Sequence, residues 1–377
     1  MMERRRGGWL WLAATLVFAV ATHDPGASAD DRIGVQSRSC APANELQFVC
    51  GAQHPEDLAR VPGTRWVLVS GFQSGGGISL LDTQSLTLRR WYTGATGTVS
   101  DRLGSAKCPG PPAAAALNTQ GLSVRQGGSG RSRLYAVNHG GRESIEIFDV
   151  TLRNGTPLPS WRGCVLMPPG DAANAVATYA DGTILATVLN RPGTTKADFM
   201  RGRPTGGVYT WHPGTADFHL LPGTELPGNN GLETSPDGRF FYVVAFGVHA
   251  VVMFSRHDTR RPLREATAPG FMPDNIRWEG DRLVAAGMIY DEPACGGLRK
   301  IVKGRADPML CHRGYVVAAV DPQTLRFSVL AYAEPNPAFN GVTTGLVVAG
   351  RLWLGSYQAD RVAYRTLPGI RRRRDGG

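Results

Sequence analysis

Short apolar strands, each preceded by a turn and a polar residue, recur six times along this chain. The polar anchors are separated by 68, 50, 56, 43 and 69 residues, and they are Arg65, Arg133, Thr183, Arg239, Arg282 and Arg351. Other segments alternate between apolar and polar residues, as over 144–150, and no long stretch has helical periodicity. Such alternation is typical of half-buried strands, so the pattern predicts an all-β chain. Each interval accommodates one four-stranded blade with its loops, which predicts a six-bladed β-propeller.

The repeat also predicts where the blades lie. Their approximate ranges are 55–118, 119–170, 171–225, 226–270, 271–335 and 336–368. Residues 30 to about 50 should add a strand to the C-terminal blade, since such pairing closes the ring and removes exposed sheet edges. Two insertions rich in Gly and Pro, 94–118 and 290–313, each carry cysteine. Loops of this length often form lids or rims of binding sites.

The N-terminus has the features of a secretory signal. Three arginines, Arg4 to Arg6, precede an apolar run from Trp9 to Ala21. Two small-x-small cleavage sites follow, ending at Ala21 and Ala29. The run is short for a membrane span, so a cleaved signal peptide is predicted over 1–29, with an uncleaved anchor as the alternative. The propeller is then expected over 30–368, followed by a disordered basic tail at 369–377.

Six cysteines in an exported chain predict a disulfide framework. Many pairings are formally possible, and the simplest local bridges give Cys40–Cys50, Cys295–Cys311 and, by remainder, Cys108–Cys164. No Cys-x-x-Cys knuckle occurs, which argues against a structural zinc site. We therefore expect structural thiols and a secreted or periplasmic protein.

The formal net charge of +10 changes this picture little. The leader carries +1 of it and the tail +3, which leaves +6 on the folded part. No basic stripe is interleaved with aromatic residues, so nucleic acid is not an expected partner. No membrane span is expected after signal cleavage, and a monomer is expected.

Oxygen-bearing side chains precede four of the six anchors by seven to nine residues. They are Glu56, Asn174, Asn230 and the pair Asp274-Asn275. Equivalent positions in successive blades converge on the propeller axis, so these side chains should meet. Calcium takes about six to eight oxygen ligands, and two carboxylates with three amides suit it better than zinc or copper. The alternative is that each Asn or Asp simply builds a Gly-rich turn, but the fourfold recurrence favours a metal site.

Five segments around these positions carry motifs of a known group of proteins. They are Pro55-Glu56-Asp57-Leu58, the stretch from Tyr135 to Phe148, Asn230-Gly231-Leu232 leading into Ser235-Pro236-Asp237-Gly238, Pro273-Asp274-Asn275-Ile276, and the stretch from Gly341 to Tyr357. Together they resemble the paraoxonase and gluconolactonase/regucalcin-type calcium-dependent propellers. The resemblance covers most of residues 50 to 365.

The resemblance implies a catalytic calcium near the bottom of the central tunnel, bound to the carbonyl of a lactone or ester. It assigns the metal to Glu56, Asn174, Asn230, Asp274 and Asn275. It also assigns activation of the hydrolytic water to His139. The chemistry is reasonable in itself, because a dication polarises a carbonyl and an imidazole near neutrality can carry a proton. The alternative for His139 is a structural role.

The sequence departs from the paraoxonase pattern in three places. A second, structural calcium in those enzymes uses acids at the positions of Asp57 and Ala175, so the alanine makes that second ion doubtful here. The partner histidine expected downstream of His139 has no counterpart around 161–164. A further pocket histidine is replaced near Met288. Substrate preference and the proton relay are therefore not transferable.

Two functions from different classes follow. The first is a secreted, calcium-dependent lactonase or arylesterase-like hydrolase acting on a small-molecule lactone or ester. The second is a non-catalytic propeller in which calcium plugs the tunnel and the loops bind a ligand or protein. A sugar-acid lactonase is a third reading. The five ligands with His139 favour the enzyme, whereas the missing auxiliary histidines favour the binding protein.

Overall fold

Six blades form a closed ring in the computed structural model, which describes residues 40–94, 103–127 and 131–367. The first strand of each blade contacts the first strand of the next blade, and that of the sixth blade contacts that of the first. These first strands therefore surround the axis. The predicted all-β, six-bladed propeller is confirmed. The predicted signal peptide and basic tail lie outside the described residues.

Each blade has four antiparallel strands, numbered from the axis outwards, and in blade 2 a short fifth strand, Leu103–Gly104, pairs in parallel with the outermost of the four. The strands of blade 1 are Leu58–Arg60, Trp66–Ser70, Ile78–Asp82 and Thr87–Arg90. Those of blade 2 are Thr119–Gln126, Ser132–Asn138, Ser144–Arg153 and Thr156–Leu166. Those of blade 3 are Ala173–Thr178, Ile184–Val188, Gly207–Trp211 and His219–Leu220. The strands of blade 4 are Asn229–Thr234, Phe240–Ala245, Ala250–Ser255 and Arg264–Thr267. Those of blade 5 are Phe271–Glu279, Arg282–Ile289, Tyr315–Val320 and Phe327–Ala333. Those of blade 6 are Val342–Val348, Arg351–Ser356, Arg361–Thr366 and Gln47–Cys50.

The six sequence anchors lie at the start of the second strands. Arg65, Thr183 and Arg239 directly precede these strands, and the other three anchors lie at or near their first residue. A second strand such as Trp66–Ser70 is buried at every position, because neighbouring blades cover both of its faces. That double burial explains why the recurrent signal is a continuous apolar run and not an alternation.

The N-terminal strand closes the ring, as predicted. Gln47–Cys50 pairs antiparallel with Arg361–Thr366, with Gln47 opposite Tyr364 and Cys50 opposite Arg361. The Arg361 guanidinium also lies over the Phe48 ring at 5.2 Å. The first and last segments of the propeller therefore hold each other, and the blade can form only when both are present.

The three predicted disulfides are present: Cys40–Cys50, Cys108–Cys164 and Cys295–Cys311. The last of these closes the 290–313 insertion, which forms two small hairpins, Asp291–Glu292 with Gly297–Leu298 and Ile301–Val302 with Arg305–Ala306. Helical structure in the described segments is limited to Lys196–Met200 and three 3-10 turns, Ala114–Ala116, Phe246–Val248 and Pro293–Cys295. None of these helices has the length and apolar character needed to cross a bilayer.

Candidate metal and active site

The site begins with irregular pairing in the inner strands. In five blades the register against the second strand shifts, and the shifts lie between Thr119 and Leu122, Ala173 and Val176, Asn229 and Leu232, Pro273 and Asn275, and Val342 and Thr344. A bulge inserts a residue into one strand and redirects its side chain. The bulged residues that line the central cavity are Gln120, Asn174, Asn230, Asp274 and Thr343. Glu56, just before the inner strand of blade 1, lines it too, so every blade contributes one polar side chain.

The structure brings most of the predicted site residues into this one cavity of about 390 Å³. Glu56, Asn174, Asn230, Asp274 and His139 line it, as convergence on the axis requires. Asn275 instead donates from Nδ2 to Glu56 Oε1 over 3.0 Å. In this arrangement Asn275 positions the Glu56 carboxylate. The assignment of all five residues to a metal stays a prediction.

Three buried oxygen atoms in the cavity lack a hydrogen-bond partner among the described residues. They are Glu56 Oε2, Asn174 Oδ1 and Asn230 Oδ1, on residues that are 2%, 7% and 4% exposed. Buried polar atoms usually have a partner, so three in one cavity provide acceptor positions for ordered water or a cation. Carboxylate and amide oxygens are the donors that calcium takes. The described segments hold no group of three or more His, Cys, Asp or Glu that could bind a metal, so a cation here would depend on the amides.

The two carboxyl groups of the cavity are costly to ionise. Burial raises the pKa of Asp274 to about 8, opposed by a hydrogen bond from Asn230 and assisted by the negative charge of Asp57. Burial also raises the pKa of Glu56 well above its ordinary value, and the charges of Asp57 and Asp274 raise it further. A bound dication would compensate both negative charges, so the electrostatics and the unpaired oxygens fit the same kind of group.

His139 lies between two polar partners at the cavity wall. Its Nδ1 is 2.8 Å from Glu143 Oε2, and its Nε2 is 2.9 Å from Gln120 Oε1. With the Nδ1 proton directed at Glu143, Nε2 accepts from Gln120 if the amide turns its nitrogen inwards, or donates if the ring carries two protons. The turn after His139 needs glycine, because a Cβ on Gly140 would lie 1.6 Å from Ala116 O. Glu143 is therefore the acidic partner that orients the His139 ring.

Several polar or charged residues that line the central cavity were not predicted from the sequence. Thr343 precedes Arg351 by eight residues, so the spacing that identified the other positions could have found it. Gln120 precedes Arg133 by thirteen, because the inner strand of blade 2 is longer, and it gave no signal. Two cations, Lys196 and Arg299, lie on segments between blade strands where the repeat carries no information.

The two long insertions differ in their contribution to the cavity. Arg299 and Met309, from 290–313, line it, which confirms that this insertion forms part of a rim. The described part of 94–118 supplies no lining residue. Its expected rim role is not supported at this cavity. Apolar side chains complete the wall, among them Phe72, Phe199 and Phe246.

A buried ion pair lies directly behind Glu56. The Asp57 side chain is 1% exposed, and its carboxylate accepts hydrogen bonds from the backbone N–H of Leu58 at 2.9 Å and of Leu122 at 2.7 Å. Arg277 contacts both of its oxygen atoms, through Nε at 3.2 Å and through Nη2. Nη2 also donates to Leu122 O at 2.7 Å.

This ion pair bears on the second calcium of the paraoxonase pattern. The Arg277 guanidinium already supplies the positive charge that the Asp57 carboxylate requires. The other acidic position of that pattern holds Ala175, which is buried. The residues present therefore do not fit a second calcium beside Asp57.

Comparison with solved structures supports the fold. Luciferin-regenerating enzyme aligns with a TM-score of 0.51 at 14% sequence identity, over 86% of this chain and 95% of that one. The chain shares the propeller fold of that enzyme. Regucalcin from Agrobacterium tumefaciens strain C58, described as a calcium-binding protein, aligns with a TM-score of 0.49 at 12% identity, over 86% and 94%. No family model and no curated protein sequence matches the chain.

The resemblance stated from the sequence is thereby confirmed for the fold of the propeller. Identity of 14% carries no information about chemistry, so any activity has to be argued from the residues of the cavity.

We expect Arg277→Met to lower the free energy of unfolding of the propeller by about 3–5 kcal/mol, because the buried Asp57 carboxylate would lose its cation. Denaturant unfolding measures this loss. Arg282→Met, at an exposed position of the same blade, is the matched control and should change stability little. Adding Asp57→Asn to Arg277→Met should recover part of the loss. A loss below about 1 kcal/mol for Arg277→Met would show that the pair is dispensable.

A second prediction concerns pH and chelation. The raised pKa of Asp274 means that, without a cation, the folded chain holds more protons than the unfolded chain between the ordinary carboxyl pKa of about 4 and about 8. Stability in chelator should therefore fall as pH rises through that window, and calcium should remove most of the fall. Melting temperatures at pH 5 to 8, with chelator and with calcium, measure this. In chelator, Asp274→Asn should make the melting temperature nearly independent of pH. The same pH dependence for the wild type in chelator, the wild type in calcium and Asp274→Asn in chelator would contradict the calcium site at Asp274.

Proposed function

We propose that this propeller is an exported, calcium-dependent hydrolase of lactones or related esters, acting at the central cavity. The observation that carries the proposal is the set of three unpartnered oxygen atoms, on Glu56, Asn174 and Asn230, in a cavity that also contains an oriented histidine. Oxygen ligands without a neighbouring histidine would be enough to bind an ion that only stabilises the fold. A proton-carrying group beside them is what hydrolysis adds. Three disulfides support a secreted or periplasmic location.

In this proposal Glu56, Asn174, Asn230 and Asp274 hold the calcium from the cavity wall, and Asn275, the fifth predicted ligand, also orients Glu56 through its Nδ2 hydrogen bond. The chemistry that calcium supplies when bound is polarisation of a carbonyl and a lower pKa for a water beside it. Glu143 keeps the Nδ1 proton of His139 in place, which leaves Nε2 to take a proton from water.

As His139 takes the proton, the water oxygen would form a bond to the carbonyl carbon. His139 would then give that proton to the oxygen atom that leaves when the ester C–O bond breaks. Gln120 would have to release Nε2 before water can approach it. Aromatic side chains line the same cavity and offer an apolar surface to the rest of the substrate.

One observation favours the alternative, a non-catalytic propeller that is stabilised by calcium and binds a ligand or protein. Both ring nitrogens of His139 are engaged, by Glu143 and by Gln120, as they are in histidines that serve only structure. The two functions differ in whether the rate of hydrolysis depends on His139 at constant calcium content.

Calcium should be required for hydrolysis and for full stability. A ligand at a hundred times its dissociation constant stabilises the native state by about 2.7 kcal/mol, so chelation should lower the melting temperature visibly. Turnover of a panel of lactones and aryl esters, with chelator and with calcium, tests activity, and metal analysis tests content. Asp274→Asn should lose calcium and activity together, whereas Asp258→Asn, an exposed control, should keep both. Purified protein without calcium and with an unchanged melting curve in chelator would exclude the metal.

His139→Gln should leave calcium content nearly unchanged and slow turnover by about a hundred- to ten-thousandfold if the imidazole is the general base. Glu143→Gln should cost less, because it loosens the orientation of the ring without removing it. His257→Gln, at an exposed histidine, is the control. Full calcium-dependent turnover by His139→Gln would make this histidine structural, and loss of calcium in the same variant would place the imidazole in support of the ligand shell.

A further inference from the structure

With calcium bound, the cavity would contain more positive than negative charge. Its lining includes two carboxyl groups, on Glu56 and Asp274, and two cationic side chains, on Lys196 and Arg299. A calcium ion would balance both carboxylates. The lysine and the arginine would then remain as two positive charges beside the site, and only the arginine would be partly offset, by the charge of Asp307.

Neither cation forms an ion pair with an acid among the described residues. Within the described segments, no ion pair or hydrogen bond joins the Lys196 ammonium to an acidic group, and Asp198 of the same helix is engaged by Thr195 and Arg203. Arg299 Nε donates to the backbone oxygen of Asp307 at 2.9 Å, which anchors the guanidinium by one edge.

The charges of Arg299 and Asp274 both act on Lys196. Burial of the ammonium lowers the pKa of Lys196 although part of its side chain reaches solvent, the charge of Arg299 lowers it further, and the charge of Asp274 opposes both. An anion between the two cations would relieve their mutual repulsion.

We propose that Lys196 and Arg299 bind a carboxylate carried by the substrate, so that the hydrolysed lactone or ester is an anionic one. The proposal rests on the proposed function and specifies its substrate class. A guanidinium presents a fork that matches a carboxylate, and an ammonium adds a point charge. Phe199, Phe246 and Met309 line the same cavity and suit a short aliphatic chain between the two ends of the substrate.

The test compares two esters of matched length, 4-nitrophenyl hydrogen adipate, which has a free carboxylate, and 4-nitrophenyl hexanoate, which is neutral. For the calcium-loaded protein, we expect kcat/KM to favour the anionic ester by about tenfold or more, since hydrogen bonds to charged groups are of that strength. Lys196→Met and Arg299→Gln should each reduce this ratio by about tenfold. Arg299→Lys should retain most of it, and added salt should reduce it.

Two variants remove the same charges outside the cavity, Lys300→Met and Arg305→Gln, both at exposed positions of the same insertion. Both should retain the wild-type ratio. An equal preference for the two esters in the wild type, or a ratio that neither cavity variant changes, overturns the proposal.

A binding measurement separates this inference from the proposed function. Calorimetry with adipate and with neutral adipamide needs no turnover. If neither ester is hydrolysed but adipate binds in a manner that requires Lys196 and Arg299, the carboxylate site stands and the hydrolase does not. If hydrolysis occurs but adipate binds no more tightly than adipamide, the hydrolase stands and the carboxylate site does not.

Discussion

The close approach of the inner strands around the axis is the constraint on which the site depends. A Cβ on Gly231 would lie 2.4 Å from Asp274 O, and a Cβ on Gly121 would lie 2.7 Å from Asn174 O. Neighbouring blades therefore touch backbone to backbone at the bulges. That contact leaves no room for side chains between the strands, and the bulged residues turn into the central cavity. The polar side chains converge because the ring is closed and tightly packed at this level.

Burial at the axis creates an electrostatic problem that the chain answers only in part. Asp57 is balanced within the chain by Arg277, which contacts both of its oxygen atoms. Burial raises the pKa values of Glu56 and Asp274, and the negative charge of Asp57 raises them further. The charge of Asp57 is thus neutralised within the chain, whereas the charges of Glu56 and Asp274 are left for a ligand to neutralise. Buried groups left unpaired in this way are expected where a protein binds something.

The ring and its connections contribute different parts of the site. The ring supplies one polar position per blade, held by strand pairing and by hydrogen bonds between blades, such as Thr343 Oγ1 to Glu56 O at 2.6 Å. The connections supply Lys196, Arg299 and most of the apolar wall. Rigid strands suit the alignment of reacting groups, whereas loops can vary in length and charge without disturbing the ring. Differences in substrate among propellers of this kind would therefore be expected to lie in the connections.

The repeat of apolar second strands determined the blade number, the closing strand and the candidate oxygen residues, because burial of one strand per blade imposes a periodic pattern. The even cysteine count and the two short spacings made Cys40–Cys50 and Cys295–Cys311 the simplest bridges, and the structure selected these with Cys108–Cys164 from the pairings that the sequence left open. Only the tertiary structure decided that Gln120 completes the six positions, that Glu143 orients His139, and that Arg277 lies beside Asp57. Arg277, Lys196 and Arg299 lie outside the repeat positions and meet their neighbours only in the folded chain, whereas Glu143 is four residues from His139 and carried no recognisable motif. Asp57 and Arg277 are 220 residues apart in sequence. Contacts of that range leave no local pattern, because nothing but ring closure brings the two residues together.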